Sequence, residues 1–266
     1  MEFASVLQLF SLLFESAHWG PEADTSFIRG VCRSKPLFTF LFSALRDPEQ
    51  IHPTMERERR TVAPFIFRFI NSCFDKLNIA PTQEIESFLK LLCKHAKLLD
   101  ILEMMMTQGD TSQIELQYVG DCITGITQLL EGRPVLLPIV RADLPRPRLK
   151  HACLEKALGA SVQPLIRVEG PSLQTHAWYL VDQFENMCQV DRQCMRRGCK
   201  RTRRARCKDC KVTEYCSYQC QKKDWPDHRL VCGLKYQANS FFDKAIVTGI
   251  PDRFPFRFSR GGSPVF

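Results

Sequence analysis

The sequence predicts a mainly α-helical domain followed by a small module that is rich in cysteine. Apolar residues recur at helical spacing through most of residues 1–187, and the strand signals in this range are few and short. A dense group of Cys and His residues begins at Cys194 and ends at Cys232. We therefore expect a helical domain (1–187), a compact module (188–235) and a C-terminal tail (236–266).

The first half of the chain contains five apolar runs with helical periodicity. Pro64 is expected to kink the fourth run or to mark its start, because proline removes a hydrogen bond from a helix interior. The fifth run is the longest and ends before Gly109, a residue type that commonly terminates helices. The runs cover residues 3–14, 25–31, 37–45, 56–77 and 82–107.

The second half continues the helical pattern with one interruption. A helix is expected from Ser112 to Gly132, and two more at about 148–158 and 172–187. Residues 133–147 hold four prolines and predict an extended connection. Short strand signals occur at 135–140 and 165–168. The succession of helices suggests stacked helical hairpins, although no sequence period identifies a repeat family.

Composition points to an intracellular globular protein, either nuclear or cytoplasmic. Of 266 residues, 44% are hydrophobic and 25% charged, which is ordinary for a globular domain. The N-terminus lacks the basic segment of a secretory signal, and no apolar run is long enough to span a bilayer, so no membrane association is expected. Thirteen cysteines without such a signal predict free thiols or metal ligands rather than disulfides.

The net charge of +8 is distributed unevenly. Residues 1–191 sum to −4, whereas residues 192–235 sum to +10. Two Zn²⁺ ions bound by seven thiolates would lower the charge of the module to about +7. Residues 200–206 hold five of the cations and allow three interpretations: a solvated loop, a nuclear import signal, or a weak, non-specific contact with nucleic acid.

Eight metal-type ligands form four close pairs in the module. Ligands separated by two to four residues can reach one ion, and eight ligands make two complete tetrahedral sets. We therefore expect two zinc ions per chain as the cofactors, with every coordination position filled by protein, so that the ions are structural. Spacing alone does not decide whether the pairs are used sequentially or alternately. The pairs are Cys194 with Cys199, Cys207 with Cys210, Cys216 with Cys220, and His228 with Cys232.

The residues between the later ligands resemble those of MYND zinc fingers. The similarity lies in Tyr215-Cys216-Ser217-x2-Cys220-Gln221-x2-Asp224-Trp225-x2-His228-x3-Cys232, and in the order of seven Cys with one internal His. The first pair, Cys194-x4-Cys199, is longer than the Cys-x2-Cys of many members. The resemblance implies alternating ligand sets. The first zinc is then bound by Cys194, Cys199, Cys216 and Cys220, and the second by Cys207, Cys210, His228 and Cys232.

The resemblance also implies a function in protein–protein interaction. Many MYND fingers bind short proline-rich peptides, and the matching positions in this chain are Gln221 and Trp225. A third position of the peptide groove is often small and polar but is Lys208 here, which favours an acidic flank in the peptide. The alternative for Trp225 is a purely packing role. We expect an adaptor without enzymatic activity that binds protein partners through short peptide motifs.

Two enzymatic alternatives are disfavoured by the residues. Some SET-type lysine methyltransferases carry a MYND insertion, but only 34 residues follow Cys232 and the Asn-His-x-Cys pattern of that family is missing. A RING-like ubiquitin ligase has its histidine earlier in the ligand series. The other histidines and cysteines lack patterned partners and are interpreted as ordinary surface or core residues: His18, His52, His95, His151, His176, Cys32, Cys73, Cys93, Cys122, Cys153 and Cys188.

Overall fold

The computed structural model describes residues 3–16, 26–47, 55–107, 113–161, 173–189 and 192–232, and these residues are mainly helical. The mainly α prediction is therefore confirmed. The α-helices are α1 (Phe3–Ser16), α2 (Ser26–Arg33), α3 (Lys35–Arg46), α4 (Met55–Asn78), α5 (Thr82–Lys90), α6 (Leu98–Thr107), α7 (Gln113–Leu130), α8 (Leu137–Arg141), α9 (Pro147–Ser161), α10 (Leu173–Met187) and α11 (Tyr218–His228). A π-helical turn (Leu91–Ala96), a 3₁₀ turn (Pro134–Leu136) and two strands, β1 (Ala205–Arg206) and β2 (Glu214–Tyr215), complete the described elements.

The helices of the domain pack in three series, and each series links every third helix along the chain. In the first series α1 contacts α4, α4 contacts α7, and α7 contacts α10. In the second α2 contacts α5 and α5 contacts α8, and in the third α3 contacts α6 and α6 contacts α9. Each of the helices α1 to α7 thus packs against the helix three places later, which is the pattern of a stacked repeat with three helices per unit, and α9 also packs extensively against α10. The helices are stacked as expected, but in units of three rather than as two-helix hairpins.

The single long helix expected over 82–107 is interrupted in the structure. It divides into α5, the π-helical turn and α6, with Lys97 between the last two in a left-handed conformation at φ 59°. The amide of Lys97 donates to the carbonyl of Leu92 and closes the turn. Ala96 and Leu98 on either side are both buried, so the apolar pattern runs through the break and conceals it.

The connection expected to be extended over 133–147 is partly helical, so this prediction is wrong. The short strand signal at 135–140, which could also have been extended loop, falls in these helical turns. Pro134 begins the 3₁₀ turn and Pro138 lies in the first turn of α8. Proline is tolerated in a first helical turn, where its missing N–H has no intrahelical acceptor. The strand signal at 165–168 lies outside the described residues. Helix α4 runs through Pro64 instead of starting there.

One continuous apolar core joins the three series, and phenylalanine rings connect them. Phe14 of α1 meets Phe69 of α4 edge to face, with ring centroids 5.2 Å apart. Phe38 of α3 lies 5.9 Å from Phe69 and 5.5 Å from Phe88 of α5. Because Phe38 of the third series touches rings from both other series, the core fixes the lateral order of the stack as well as its length.

A buried ionic network lies where the last unit meets the module. The Lys150 ammonium is 2.8 Å from a carboxylate oxygen of Asp182 and 2.6 Å from one of Glu185. Burial alone would lower the pKa of Lys150, but these two carboxylates outweigh it and raise that pKa. The other oxygen of Glu185 accepts from the backbone amide of Arg146 at 2.6 Å, and the buried Arg146 guanidinium binds Asp100. The network ties α9, α10 and α6 together.

The buried cysteines of the helical domain behave as small apolar residues, as expected. Burial raises the pKa of Cys93, Cys153 and Cys188 to about 12, so these thiols are protonated at neutral pH. None of the described helices is long and apolar enough to cross a membrane.

Two glycines on α7 provide a matched test of the packing. A Cβ at Gly125 would lie 2.2 Å from the ring of Phe74 on α4, whereas a Cβ at Gly120 would meet only a Leu180 methyl at 3.6 Å. We expect Gly120→Ala to stabilise the protein by about 0.5–1 kcal/mol through helix propensity. Gly125→Ala should instead destabilise it by about 1–3 kcal/mol through overpacking. Urea unfolding measures both, and equal effects of the two substitutions would contradict the α4–α7 contact.

Candidate zinc centres and the adjoining surface

The structure brings the eight Cys and His side chains together in two groups of four. In each group, the ligand atoms all lie within 4.8 Å of one another. The groups alternate along the chain: the first and third pairs make one cluster, and the second and fourth make the other. The geometry therefore supports the alternating arrangement and not the sequential one. The clusters are Cys194, Cys199, Cys216 and Cys220, and Cys207, Cys210, His228 and Cys232.

The distances within each cluster fit a tetrahedral zinc ion. Sulfurs placed about 2.3 Å from zinc in a tetrahedron are about 3.8 Å apart. In the first cluster the Sγ of Cys199 lies 3.8 Å from those of Cys216 and Cys220, and the Cys216–Cys220 separation is 3.4 Å. In the second, Cys207 and Cys232 are 3.9 Å apart. The first cluster offers four thiolates, and the second offers three thiolates and one imidazole. Both donor sets prefer zinc, so the two clusters fit two zinc ions.

Local backbone structure positions the second pair of ligands. Between Cys207 and Thr213 the chain makes a tight knuckle, in which Lys211 is left-handed at φ 56° and its amide donates to the Cys207 carbonyl at 2.9 Å. The amide of Thr213 donates to the Sγ of Cys210 at 3.5 Å. The knuckle therefore points a backbone N–H at a thiolate, which stabilises the ligand in its charged form.

Helix α11 spans both clusters. Ser217 caps it, with its hydroxyl accepting from the Cys220 amide at 3.3 Å. Cys220 belongs to the first cluster, and His228, eight residues later, belongs to the second. Eight residues of α-helix measure about 12 Å, so α11 sets the distance between the two metal positions.

A short hairpin ties the early ligands to the later ones. Strands β1 and β2 pair antiparallel, with Ala205 opposite Tyr215. The amide of Cys194 donates to the Arg201 carbonyl at 2.8 Å, and that of Met195 donates to Glu214 of β2 at 2.9 Å. The Tyr215 hydroxyl donates to the buried carboxylate of Asp224 on α11 at 2.8 Å. These bonds link the hairpin to both ends of the module.

Two arginines stabilise the thiolate of Cys220. Its Sγ accepts from the Nε of Arg196 at 3.3 Å and from the guanidinium of Arg201 at 3.4 Å. Burial would raise the pKa of Cys220, but hydrogen bonds from Cys216 and these arginines outweigh it and lower the pKa to about 6. A four-thiolate zinc site carries a net charge of −2, and the two guanidinium groups offset that charge. Apart from the basic composition of this segment, no sequence pattern predicted that these two arginines would stabilise a ligand.

The imidazole of His228 is oriented by a second contact. Its Nε2 lies 3.6 Å from the Sγ of Cys210, and its Nδ1 lies 3.5 Å from the hydroxyl oxygen of Thr213. Zinc bound at Nε2 would leave the proton on Nδ1, where the Thr213 hydroxyl could accept it. Burial lowers the pKa of His228, which favours the neutral form that binds metal.

The basic run 200–206 is built into the module and is not a free arm. Arg201 donates to Cys220, while Arg203 and Arg206 both pair with Glu214 on β2. Among the residues described here, Lys200 and Arg204 are the cations of the run whose side chains form no hydrogen bond or ion pair. The run thus serves chiefly to close the hairpin and to balance thiolate charge.

The module rests on the helical domain through polar contacts near α9. The Nε of Arg197 donates to the Pro145 carbonyl at 2.9 Å, and its guanidinium lies 3.5 Å from Glu103 of α6. Arg148 at the start of α9 pairs with Asp227 of α11 at 2.7 Å. Cys188, which we excluded from the ligand sets, is buried at the end of α10 and lies outside both clusters.

The residues expected to bind a peptide lie on and near α11. Trp225 is 39% exposed, and its ring lies 5.9 Å from that of His228, so it both contacts a ligand and faces solvent. Gln221 is half-buried and Lys208 is exposed. Tyr218, which the sequence analysis did not single out, is 74% exposed and shares a helix face with Gln221 and Trp225 at i, i+3 and i+7. That spacing was readable from the sequence. Tyr218, Gln221 and Trp225 are called the α11 face below.

The alternating ligand sets predict how the substitution of one ligand affects zinc binding at both sites. Wild-type protein should contain two zinc ions, and Cys207→Ser should lose the second. It should also weaken the first, because β1 and β2 connect both sites. Elemental analysis and chelator competition measure this, with Cys188→Ser as the control that keeps both ions. A Cys207→Ser protein that retains one zinc at unchanged affinity would contradict the coupling.

Removal of both ions should unfold the module selectively. The described part of the module buries few apolar side chains besides its ligands, whereas α1–α10 share a continuous core. A strong chelator should therefore abolish the amide protection of residues 194–232 while most of the helical circular dichroism remains. Simultaneous loss of both signals at the same chelator concentration would show one cooperative unit instead.

Comparisons with known proteins agree with this geometry. The family model described as "MYND finger" matches residues 188–232. Histone-lysine N-methyltransferase SMYD3 from Mus musculus is 59% identical over 27 residues, which is 10% of this chain and 6% of that protein. The zinc finger MYND domain-containing protein 10 homolog of Drosophila melanogaster is 50% identical over 34 residues (13% and 8%). Dauer abnormal formation protein 25 of Caenorhabditis elegans is 34% identical over 87 residues (32% and 21%).

The chain thus covers at most about a fifth of these relatives' lengths. No solved structure matches the chain significantly. The family model and the paired Cys and His clusters coincide on one segment, and residues 188–232 are a MYND finger that follows a helical region.

Proposed function

We propose that this chain is a non-enzymatic adaptor whose finger recruits protein partners through short proline-containing peptides. MYND fingers are generally protein–protein interaction modules, and the α11 face is the surface we assign to the peptide. In this proposal residues 1–187 form the platform, 188–235 the binding module and 236–266 a tail. The protein acts inside the cell, in the nucleus or cytoplasm, with two structural zinc ions as its cofactors.

The exposure of Trp225 is the observation that carries the proposal. A tryptophan needed only for packing would be covered, but this indole leaves 39% of its surface to solvent on a helix held by both clusters. Tyr218 and Gln221 extend the same stripe toward the N-terminus of α11. Two aromatic anchors flanking an amide suit a ligand that offers a leucine or proline side chain and backbone acceptors.

One edge of the hairpin is suited to pairing with an extended peptide. On β2, both backbone groups of Glu214 are engaged by Met195, whose amide donates to the carbonyl and whose Sδ lies 3.3 Å from the amide nitrogen. A peptide strand would therefore add beside β1, from which Lys208 follows two residues later. Addition of a strand supplies affinity through main-chain hydrogen bonds, and side-chain pockets supply specificity.

The charge of the finger favours acidic residues around the proline motif. Lys208 and Lys211 are exposed on the knuckle, and Lys222 and Lys223 are exposed on α11. In the described part of the chain these lysines form no ion pair with a carboxylate, so an acidic flank would meet unpaired cations. A weak contact with nucleic acid remains a secondary proposal, since most of the run 200–206 is already engaged within the finger.

A methyltransferase function has little support from the structure. The match to SMYD3 covers 27 residues of the finger and 6% of that enzyme. A SET domain is rich in β-structure, whereas the described residues contain only two strands of two residues each. Both zinc clusters offer four protein ligands, which leaves no position for a reacting water.

Substitution of the aromatic residues tests the α11 face. An acidic-flanked peptide containing Pro-Leu should bind the full, zinc-loaded chain with a Kd on the order of micromolar or weaker. Trp225→Ala should weaken binding by about 2 kcal/mol or more, roughly thirtyfold, and Tyr218→Ala by less. Fluorescence anisotropy measures the affinity. The control is Tyr179→Ala on α10, an aromatic residue that is 47% exposed and lies outside this surface.

The zinc content of each variant decides between the two roles of Trp225. Loss of binding with two zinc ions retained supports the groove. If peptide affinity survives Trp225→Ala, or if that variant fails to hold two zincs, Trp225 is a packing residue and the assignment is wrong. Lys208→Glu should mainly slow association and reduce its dependence on salt.

A further inference from the structure

The last described residues of the chain lie at a cavity between the finger and the helical domain, which we call the junction cleft. Its helical wall includes Leu144 and Trp178, and its finger wall includes Thr213 and Val231. Val231 is followed by Cys232, a ligand of the second cluster, at which the described part of the chain ends. The residues that follow Cys232 therefore begin beside the cleft.

Zinc coordination fixes the point from which the chain continues. The Sγ of Cys232 lies within 4.8 Å of the ligand atoms of Cys210 and His228, and both of these residues line the cleft. The sequence continues Gly233-Leu234-Lys235. A chain extends at most about 3.6 Å per residue, so the Cα of Leu234 cannot be more than about 7 Å from that of Cys232. Covalent geometry thus keeps an aliphatic side chain close to the cleft.

The volume of the cleft matches one aliphatic side chain. The cavity measures about 90 Å³. Pockets for cofactors and drug-sized molecules are about 300–1,000 Å³, and an apolar cavity of about 150 Å³ binds benzene. The ring of Tyr236, which comes two residues after Leu234, is therefore too large. The branched side chain of Leu234 suits the space between Leu144, Trp178 and Val231.

Carboxylates outnumber cations in the wall of the cleft. Asp182, Glu185 and Asp224 line it, against Lys150 and Arg141. The Lys150 ammonium serves two of the three carboxylates, at 2.8 Å from Asp182 and 2.6 Å from Glu185. The wall therefore favours a second cation over an anion.

Of the three carboxylates, Asp182 is the one best placed for a further cation. Glu185 also accepts from the backbone amide of Arg146, and Asp224 accepts from the hydroxyl of Tyr215. The side chain of Asp182 is 15% exposed, compared with 8% for Glu185. The first charged residue after Cys232 is a lysine, which directly follows the leucine that matches the volume.

We propose that residues 233–235 of the chain itself occupy the junction cleft, with the Leu234 side chain in its apolar part and the Lys235 ammonium paired with Asp182. Leucine matches the volume, lysine matches the charge, and the adjacent zinc ligand delivers both. Because the walls come from the finger and from the last helical unit, the bound segment holds the two together. Docking of the finger then depends on the chain beyond the zinc ligands.

The junction cleft is separate from the α11 face. None of Tyr218, Gln221 and Trp225 lines it. An occupant from the same chain therefore leaves the α11 face open to a partner, and the proposal does not rest on the peptide-binding function.

NMR of the full, zinc-loaded chain with labelled leucine methyl groups tests the apolar contact. We expect nuclear Overhauser effects between the Leu234 methyls and the Trp178 indole, because the proposed position places them in contact. Leu234→Ala should shift the Trp178 indole N–H resonance. The matched control Ile246→Ala, which removes an aliphatic side chain farther along the tail, should not. Trp225→Ala should leave the Overhauser effects unchanged.

Zero-length cross-linking of the same chain tests the ion pair. A carbodiimide activates a carboxylate, and attack by a neighbouring lysine amine forms an amide bond while the carbodiimide leaves as its urea. Mass spectrometry of proteolytic peptides should show Lys235 joined to Asp182. Lys235→Arg, which retains the cation but removes the amine, should abolish this product, and Lys244→Arg in the same tail should leave its yield unchanged.

Both contacts are required. The proposal is overturned if the Leu234 methyls show no Overhauser effect to Trp178, if they contact Trp225 instead, or if Lys235 forms no cross-link to Asp182. A cross-link found only in covalent dimers would place the segment in the cleft of a second copy and would overturn it as well. The Overhauser and cross-linking measurements use the unaltered chain, so they stand even where a variant fails to fold. Peptide binding at the α11 face is measured separately, and its failure leaves this result intact.

Discussion

The crossing of the two ligand sets is the constraint on which the finger depends. Apart from its ligands, the described finger buries one large aromatic side chain, Tyr215, and this is too little apolar surface to hold some forty residues in place. Metal coordination replaces the missing core. The first ion takes the pairs on either side of Cys207 and Cys210, and the second takes the pairs on either side of Cys216 and Cys220. Neither half of the finger can therefore leave without disrupting both sites. Hairpin, knuckle and α11 are consequently one unit.

This crossing also explains how a short helix can present a binding surface. Helix α11 has eleven residues, and isolated helices of that length are marginal in water. Here Cys220 is bound in one cluster and His228 in the other, and Ser217 caps the first turn. The helix is fixed before any ligand arrives, so Tyr218 and Trp225 lose little conformational entropy on binding. Zinc coordination thus preorganises the α11 face for binding.

The sequence allowed some of these features to be predicted and concealed others for physical reasons. The identities of the ligands follow from spacing, because a pair such as Cys207 and Cys210 is close along the chain however the other residues fold. The grouping of pairs is a long-range property, and only family resemblance suggested it. Helix positions follow from periodicity, yet the break at Lys97 is hidden by continuous burial of Ala96 and Leu98. The three-helix unit was also hidden, since each contact joins helices far apart in sequence. Tyr218 was missed although its spacing from Trp225 was visible.

The place of the finger at the end of the stack follows from the packing of the helical units. Within the series, α4 and α7 are each covered by a helix on both sides, but α9 and α10 end the described stack. The ends of repeat arrays need a polar covering for solubility. The finger supplies one: Arg197 reaches Glu103 and the Pro145 carbonyl, and Asp227 meets Arg148. These contacts are ionic and partly exposed, and surface ion pairs contribute only about 0–1 kcal/mol each. The finger is therefore held against the last helical unit by a few weak polar contacts, and a cavity of about 90 Å³ remains between them.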